Sequence, residues 1–305
     1  MAKPDLPILI AGPTAVGKSE IALRLAEQLG GEIISADSMQ VYRGLDLGTA
    51  KPLAADRVRV PHHLIDICDL TESFDAAQFV RLAQKAVEEI QARGRVPVFC
   101  GGTGLYFKAF LSGLGEAPSP NPELRAQLEA LPFEALLREL SERDAVAYEK
   151  IDKQNPRRVI RAVEVIRLTG KKFSQQRAEW KSEAGSRKSE NFFAFSRQPD
   201  DLRQRIDVRV DTMFARGLVD ETRELLKHGL AENQTAMQAI GYRQVVEHLR
   251  GERSLPETIE LVKIRTRQFA KRQLTWFRAQ KNLAWIELKP DESLRKIAGN
   301  ICGMI

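Results

Sequence analysis

The segment GPTAVGKS at residues 12–19 combines residue types that suit phosphate binding. It matches the pattern G-x-x-x-x-G-K-[ST] and lies between a buried-strand pattern and a helical pattern, which is the context that the motif requires. Its glycines let the backbone curl so that successive amides converge on an anion, and Lys18 adds a full positive charge. The residues predicted to bind a diphosphate are Gly12, Pro13, Thr14, Ala15, Val16, Gly17, Lys18 and Ser19, and Ser19 is also predicted to bind Mg²⁺.

This motif is typical of nucleotide-binding and ATP-binding proteins, but it does not fix which phosphate compound is bound. In a nucleoside triphosphatase, a second strand usually ends in an acidic residue that holds the metal ion. The corresponding strand here is VPVFCGG at 96–102, and it is followed by Thr103 rather than by an acid. The sequence therefore argues against ATP hydrolysis, while a P-loop kinase of small molecules remains an alternative.

Asp37 and Thr103 are polar residues that follow two predicted strands. Because ligands of open parallel sheets bind beyond the carboxyl ends of the strands, we expect both side chains near the phosphate loop. Asp37 could accept a proton or hold a metal ion through water, and Thr103 could donate or accept a hydrogen bond. Each also has a structural alternative, Asp37 as a cap and Thr103 as a turn residue. His62 and His63 are neighbours on an extended segment and point to opposite faces, which favours structural roles.

The elements that position these residues alternate between strand and helix patterns. Strands are predicted at 6–12, 32–36 and 96–102, and helices at 18–29 and 74–94. Alternation of this kind predicts an α/β fold, with a P-loop-type parallel sheet as its core and helices on both faces.

A helical insertion is predicted to interrupt this core. The proline-rich segment GEAPSPNPEL at 115–124 indicates a boundary, and the charged sequence after it has helical patterns up to about residue 180. A second polar stretch follows at 182–191, and FFAFSR at 192–197 predicts a strand that returns to the sheet, with helices from about residue 200 onward. The predicted domains are residues 1–117 with 192–305 as the catalytic core, and residues 118–191 as the helical insertion.

The charge of the chain favours an anionic partner. Its 305 residues carry a net charge of +6. The segments 153–172 and 263–278 are rich in Lys and Arg, with Glu164 as their one acidic residue. A solvated helix face would explain either segment alone, but two of them in one chain favour a polyanion-binding surface.

The location of the protein is predicted from what its sequence lacks. No apolar stretch reaches the roughly 18 residues that span a bilayer, and the N-terminal residues do not have the pattern of a signal peptide. Cys68, Cys100 and Cys302 have no spacing typical of a metal site or disulfide framework, which suits a reducing compartment. We therefore expect a cytoplasmic protein that does not bind membranes, and we expect it to act as a monomer.

Seven segments occur in an order that resembles one enzyme family. They are GPTAVGKS, ISADSMQVYRGLDLGTAKP, HHLIDI, GGTGLY, NPRRVIRAVEV, AIGYRQ and KRQLTWFR. Together they resemble the bacterial tRNA dimethylallyltransferases, or tRNA isopentenyltransferases, from about residue 8 to residue 285. The resemblance implies that dimethylallyl diphosphate is the bound phosphate compound and that Mg²⁺ assists. It also implies transfer of the dimethylallyl group to the exocyclic amine of the adenosine 3′ of the anticodon, in tRNAs that read codons starting with U.

The same resemblance implies roles for individual residues. Asp37 would be the base, Thr103 would orient the amine, and Arg209 would stabilise the leaving diphosphate. The helical insertion is expected to contact the anticodon stem-loop, and Arg157 stands where the family usually has Gln. The implied tRNA-binding residues are Asp37, Ser38, Met39, Gln40, Thr103, Arg125, Arg157, Arg158, Val159, Ile160, Arg161, Gln238, Ala239, Ile240, Gly241, Tyr242, Arg243, Lys271, Arg272, Gln273, Leu274, Thr275, Trp276, Phe277 and Arg278. A non-catalytic RNA-binding module is a further alternative, which the intact phosphate loop disfavours.

Overall fold

The computed structural model describes residues 6–114, 118–176, 191–280 and 282–305. The chain divides into two compact units, Met1–Leu111 with Arg187–Ile305, and Ser112–Ser186. Residues 115–117 of the proline-rich boundary and residues 182–190 of the second polar stretch lie outside the described residues.

A six-stranded sheet forms the centre of the first unit. Its strands are β1 (Ile8–Ala11), β2 (Gly31–Ala36), β3 (His62–His63), β4 (Val96–Gly101), β5 (Phe192–Ser196) and β6 (Ala284–Glu287). The spatial order is β3-β2-β4-β1-β5-β6, and every neighbouring pair is parallel. The carboxyl ends of β2, β4 and β1 therefore lie side by side, which brings the segments after them together.

Helices cover the sheet and build the second unit. They are α1 (Lys18–Leu29), α2 (Ala54–Arg59), α3 (Ala76–Ala92), α4 (Gly104–Ser112), α5 (Pro122–Glu129), α6 (Phe133–Arg143), α7 (Ala145–Lys150), α8 (Pro156–Thr169), α9 (Phe173–Gln176), α10 (Pro199–Ala215), α11 (Leu218–Lys227), α12 (Tyr242–Leu249), α13 (Leu255–Arg278) and α14 (Leu294–Cys302), with a 3₁₀ turn at Ala236–Gln238.

Successive residues of each strand serve opposite faces of the sheet. On β1, Leu9 packs into a core shared with α3, α4, α11 and α12, whereas Ile8 and Ile10 pack into a second core shared with α1, α10, α13 and α14. Strands buried on both faces read as continuous apolar runs, which is why β1 was recognisable from its sequence. The predicted α/β fold with helices on both faces is confirmed.

The described residues of the second unit, 112–114 and 118–176, contain helices and no strands. Apolar residues spaced along α5, α6 and α8 form its core, including Leu128, Leu140, Val159 and Val163. The helical character predicted for this segment is confirmed.

The prediction that the chain continues only as helices after residue 200 is wrong, because β6 adds an edge strand beside β5. Three of its four residues are exposed, so it lacks the buried apolar pattern on which the other strands were recognised. The two histidines form the short strand β3. Their ring nitrogens lie 2.7 Å from the Val60 carbonyl for His62 and 2.6 Å from the Glu32 carboxylate for His63, as expected for structural residues.

Candidate active site

A cavity of about 420 Å³ opens at the carboxyl ends of β1, β4 and β2. It collects predicted site residues from six separate stretches of the first unit. Those that line it are Thr14, Lys18, Ser19, Asp37, Ser38, Met39, Gln40, Thr103, Arg209, Gln238, Ala239, Ile240, Arg272 and Gln273. Those of this unit that lie outside the lining are Gly12, Pro13, Ala15, Val16, Gly17, Gly241, Tyr242, Arg243, Lys271, Leu274, Thr275, Trp276, Phe277 and Arg278.

The phosphate loop is held in shape by cationic side chains that bind its carbonyl groups. Arg197 Nε donates to the Val16 carbonyl at 2.8 Å, and Arg205 Nε donates to the Ala15 carbonyl at 3.0 Å. Because N–H and C=O of a trans peptide point in opposite directions, the Gly17 amide faces away from Arg197. Ala15 itself has φ of 64°, a left-handed conformation that costs an alanine about 1–2 kcal/mol and that the surrounding bonds must maintain.

The loop runs directly into the positive end of α1. Gly17, at the N-cap position, has φ of 110° and no side chain that could cap the helix. The first amides of α1 therefore remain available to an anion, and the helix dipole adds to their attraction. This is the arrangement that the sequence motif predicts.

Two half-buried cations face the cavity beside the loop. Burial lowers the pKa of Lys18, and the charge of Arg209 lowers it further, against the opposing effects of Cys100 and Asp37. Burial also lowers the pKa of Arg209, with a contribution from Arg205. Lys18 Nζ donates to the Pro13 carbonyl at 3.2 Å, and an Arg209 nitrogen donates to Thr14 Oγ1 at 3.3 Å. Two desolvated positive charges around one loop favour a ligand with at least two negative charges.

Asp37 and Thr103 are joined through the turn that follows β2. Asp37 Oδ1 accepts from the amides of Met39 at 2.9 Å and Gln40 at 3.3 Å, so the expected capping role is present. The described hydrogen bonds leave Oδ2 free to take a proton. Thr103 Oγ1 accepts from the Ser38 amide at 3.2 Å. Its hydroxyl proton can therefore be donated to an acceptor atom of a substrate.

Apolar side chains also line the cavity. Met213 from α10, Ile240 from the segment before α12, and Phe269 from α13 line it, together with Ile65 and Met39. An apolar wall beside a cationic loop suits a ligand that carries a small hydrocarbon group on a diphosphate.

The segment 46–52, part of which forms a wall of the cavity, is held by hydrogen bonds to Tyr242 and Glu221. The Tyr242 hydroxyl accepts from the Gly48 amide at 3.1 Å and donates to Glu221 Oε1 at 2.5 Å. Glu221 also accepts from the amides of Asp46 and Leu47, and burial raises its pKa. The Tyr242 side chain is fully buried and supports the wall of the cavity, and contact of this residue with tRNA stays a prediction.

Helix α13 presents two different faces. Lys271 and Arg272 are exposed, and the Arg272 guanidinium lies 5.8 Å from the centre of the Phe269 ring. Phe277 is fully buried and Gln273 is 7% exposed, so neither side chain offers a surface to tRNA. Ala239, in the segment before α12, is also buried. Contact of these three residues with tRNA stays a prediction that their buried side chains do not support.

The predicted tRNA-binding residues of the second unit lie on α5 and α8. Val159 and Ile160 are buried in its core, and their contact with tRNA stays a prediction. Arg125 and Arg161 donate to the fully buried carboxylate of Glu164 at 2.8 and 2.7 Å. Burial is the largest single effect on the pKa of Glu164 and raises it, but the hydrogen bonds from Arg161, Arg125 and the Asn121 amide together lower it below its usual value. Arg157 and Arg158 begin α8 on its exposed side.

The sequence interpretation did not single out Arg197 and Arg205, which bind carbonyl groups of the phosphate loop. The sequence contained a pattern that could have indicated each residue. Arg197 directly follows β5, at the sheet edge where ligands bind. Arg205 lies one helical turn before Arg209 on α10. The described residues contain no cluster of three or more His, Cys, Asp or Glu side chains that could hold a metal ion. They also include no helix with the length and apolar character needed to cross a bilayer.

Comparison with known proteins agrees with this geometry. The family model described as IPP transferase matches residues 40–280. The chain belongs to the IPP transferase family. A relative from Citrifermentans bemidjiense, tRNA dimethylallyltransferase 1, is 46% identical over 281 residues, which cover 92% of this chain and 91% of that protein.

Solved structures give the same result. The full-length tRNA isopentenylpyrophosphate transferase from Bacillus halodurans is similar with a TM-score of 0.70 and 40% identity, covering 99% of this chain and 97% of that one. A eukaryotic dimethylallyltransferase acting on tRNA is similar with a TM-score of 0.75 and 29% identity, covering 92% of this chain and 73% of that one. The resemblance noted from the seven sequence segments is confirmed, and the IPP transferase assignment disfavours a small-molecule kinase.

Proposed function

We propose that this protein transfers the dimethylallyl group from dimethylallyl diphosphate to the exocyclic amine of an adenosine in tRNA. One observation carries the proposal: a single cavity joins a phosphate loop with paired cations to a carboxylate and a hydroxyl on the two neighbouring strands. The phosphate loop and its cations suit a diphosphate leaving group, and the carboxylate and hydroxyl suit an amine that must lose a proton. Membership of the IPP transferase family supports the same reaction.

The donor diphosphate binds between the phosphate loop and Arg209. As the bond between the prenyl carbon and the diphosphate oxygen breaks, negative charge builds on the departing diphosphate. Lys18, Arg209 and the first amides of α1 are already in place to stabilise that charge, so little reorganisation is needed. The apolar wall around Met213 and Phe269 holds the hydrocarbon end away from water.

The acceptor amine binds between Asp37 and Thr103. The amine nitrogen forms a bond to the prenyl carbon, and its surplus proton passes to Asp37. Thr103 orients the adenine through the proton of its hydroxyl, because its oxygen already accepts from the Ser38 amide. A positioned base of this kind contributes on the order of 10²–10⁴ to the rate.

Mg²⁺ is the metal ion we propose for the donor site, where it would screen the negative charge of the diphosphate. Mg²⁺ prefers oxygen ligands and commonly takes only one or two from the protein, with the rest from substrate phosphates and water. The Ser19 hydroxyl and, through water, the Asp37 carboxylate fit that requirement, since both line the cavity. The neighbouring Cys100 thiol, whose pKa burial raises to about 11, is a poor ligand for this ion because Mg²⁺ prefers oxygen to sulfur.

We propose that the exposed cations bind the anticodon stem-loop of tRNA. On the first unit these include Lys271, Arg272 and Arg278, and on the second unit Arg157 and Arg158. Contacts of Lys and Arg with phosphates hold RNA, while the target base turns out of the loop into a pocket. The finer proposal is that the target is the adenosine 3′ of the anticodon in tRNAs reading codons that start with U. We propose that the enzyme acts as a monomer in the cytoplasm.

The proposal is tested by incubating the purified protein with Mg²⁺, unmodified bulk tRNA and dimethylallyl diphosphate labelled in the prenyl group. A parallel reaction contains labelled ATP in place of the prenyl donor. We expect label in the tRNA from the first reaction and no consumption of ATP in the second. ATP consumption without prenyl transfer would overturn the proposal in favour of a kinase.

A further inference from the structure

Gln273 makes two hydrogen bonds that connect the donor and acceptor sides of the cavity. Its Oε1 accepts from the Thr14 amide of the phosphate loop at 2.8 Å, and its Nε2 donates to the Gly102 carbonyl at 3.0 Å. Gly102 directly precedes Thr103. A side chain from α13 therefore ties the loop that would hold the diphosphate to the residue that would orient the amine.

The chemistry of these two partners restricts the residue at position 273. The Thr14 amide can only donate and the Gly102 carbonyl can only accept, so one neutral group must supply both an acceptor and a donor. The primary amide of Gln does so with one side chain. Gln273 is 7% exposed, and a buried polar group left without its partner costs about 1–3 kcal/mol.

Gly102 and the Gln273 amide lie so close together that a Cβ at residue 102 would collide with the amide nitrogen. A Cβ at residue 102 would lie 2.2 Å from Gln273 Nε2 and 3.3 Å from the Gly12 carbonyl oxygen. Any side chain at residue 102 would therefore push the Gln273 amide away from the strand end. The absence of a side chain at residue 102 thus lets the Gln273 amide reach the Gly102 carbonyl.

We propose that Gln273 is a positioning residue that sets the distance between the diphosphate-binding loop and Thr103, and so aligns the two substrates. This inference rests on the proposed function and assigns Gln273 a role other than the tRNA contact implied by the resemblance. A reaction between two bound substrates depends steeply on their alignment, and a misplacement of about 1 Å can cost on the order of 10²-fold in rate.

The test compares Gln273→Met and Gln273→Glu with wild type. Gln273→Met keeps the shape but removes both hydrogen bonds, and we expect its single-turnover transfer rate to fall by about 10²-fold. We expect its Kd for tRNA to stay within about twofold of wild type, since the side chain faces the loop and not the solvent. The matched control is Gln268→Met, at an exposed position on the same helix, which we expect to transfer at the wild-type rate.

Gln273→Glu supplies a readout that general destabilisation would not change. An ionised carboxylate can accept from Thr14 but repels the Gly102 carbonyl, whereas a protonated carboxyl has one donor and one acceptor, as the amide has. Measured as a ratio to wild type at each pH, its rate should recover as the pH falls, while that of Gln273→Met should not. Gly102→Ala should reproduce the loss, and the double variant with Gln273→Met should be no slower than either single variant.

These outcomes decide the inference. It is overturned if Gln273→Met weakens tRNA binding by the same factor as it slows transfer, or if the Glu and Met variants show the same ratio to wild type at every pH. It is also overturned if the losses from Gly102→Ala and Gln273→Met add. Should wild type itself transfer no dimethylallyl group, the proposed function fails instead. Calorimetry with inorganic diphosphate then tests the loop directly, and unchanged binding in Gln273→Met would overturn the inference as well.

Discussion

Replacing Asp37 by Asn separates the capping role that the structure shows from the proposed role of this side chain as a base. Asp37 Oδ1 accepts from the amides of Met39 and Gln40, and Asn keeps an oxygen in that place. Asn has no carboxylate to take the proton of the amine. Asp37→Asn should therefore fold with wild-type stability and lose the contribution of the base, which is about 10²–10⁴ in rate, or about 3–5 kcal/mol in the activation barrier.

Asp37→Ala removes both roles at once. It should lose activity to the same extent and also lose the cap, which typically costs about 1 kcal/mol of unfolding free energy. The chain offers a matched control in Asp75, whose Oδ1 accepts from the amides of Ala77 and Gln78 at 2.9 Å each, at the start of α3. Asp75→Ala should lower stability by a similar amount and leave transfer unchanged.

The assay is single-turnover transfer of labelled dimethylallyl group to tRNA, with thermal unfolding and tRNA binding measured on the same samples. We expect wild-type tRNA affinity in Asp37→Asn, because base chemistry contributes to the transition state rather than to ground-state binding. Transfer by Asp37→Asn within a few-fold of wild type would refute the reasoning. A loss of activity that merely follows a loss of stability across the three variants would refute it too.

Three further predictions concern the cations and the cavity wall. A bound diphosphate should raise the lowered pKa of Lys18. The affinity for the donor should therefore fall by up to about tenfold per pH unit as the pH rises through the pKa that Lys18 has in the protein without donor. Calorimetry of donor binding across the alkaline range checks this, and an affinity that does not change with pH would contradict it. Tyr242→Phe should lower the unfolding free energy by about 1–3 kcal/mol with tRNA affinity unchanged, because its hydroxyl bonds within the protein; weaker tRNA binding at unchanged stability would count against that role. Replacing Lys271 and Arg272 by Ala should weaken tRNA binding and reduce its salt dependence, whereas Lys85→Ala on α3 should do neither; an unchanged salt slope in the double variant would remove these residues from the interface.

The parts of the molecule that the sequence predicted are those where one local pattern decides the structure. The motif at residues 12–19, with a buried strand before it and a helix after it, identified the loop and its place at the sheet edge. Asp37 and Thr103 followed from the rule that ligands bind beyond the carboxyl ends of parallel strands. The order of the strands, with β4 between β1 and β2, brings these three features together.

The parts that were missed depend on contacts between residues far apart in the chain. Nothing in the local sequence shows that Gln273 reaches Thr14, or that Tyr242 turns inward to Gly48. Motifs rich in Lys, Arg and aromatic residues indicated an RNA surface, but Tyr242 and Phe277 supply the buried side of the same helices. A helix carries both faces in one stretch of sequence, so only its packing shows which residues face the solvent.

The measurement that tests the account most directly is to find where the dimethylallyl group goes. A tRNA reading codons that start with U is reacted with unlabelled donor, digested to nucleosides and fragments, and analysed by mass spectrometry. The account predicts the added mass of one dimethylallyl group on the adenosine 3′ of the anticodon, and none in Asp37→Asn under the same conditions. Modification of another nucleotide, or wild-type yield from Asp37→Asn, would contradict it.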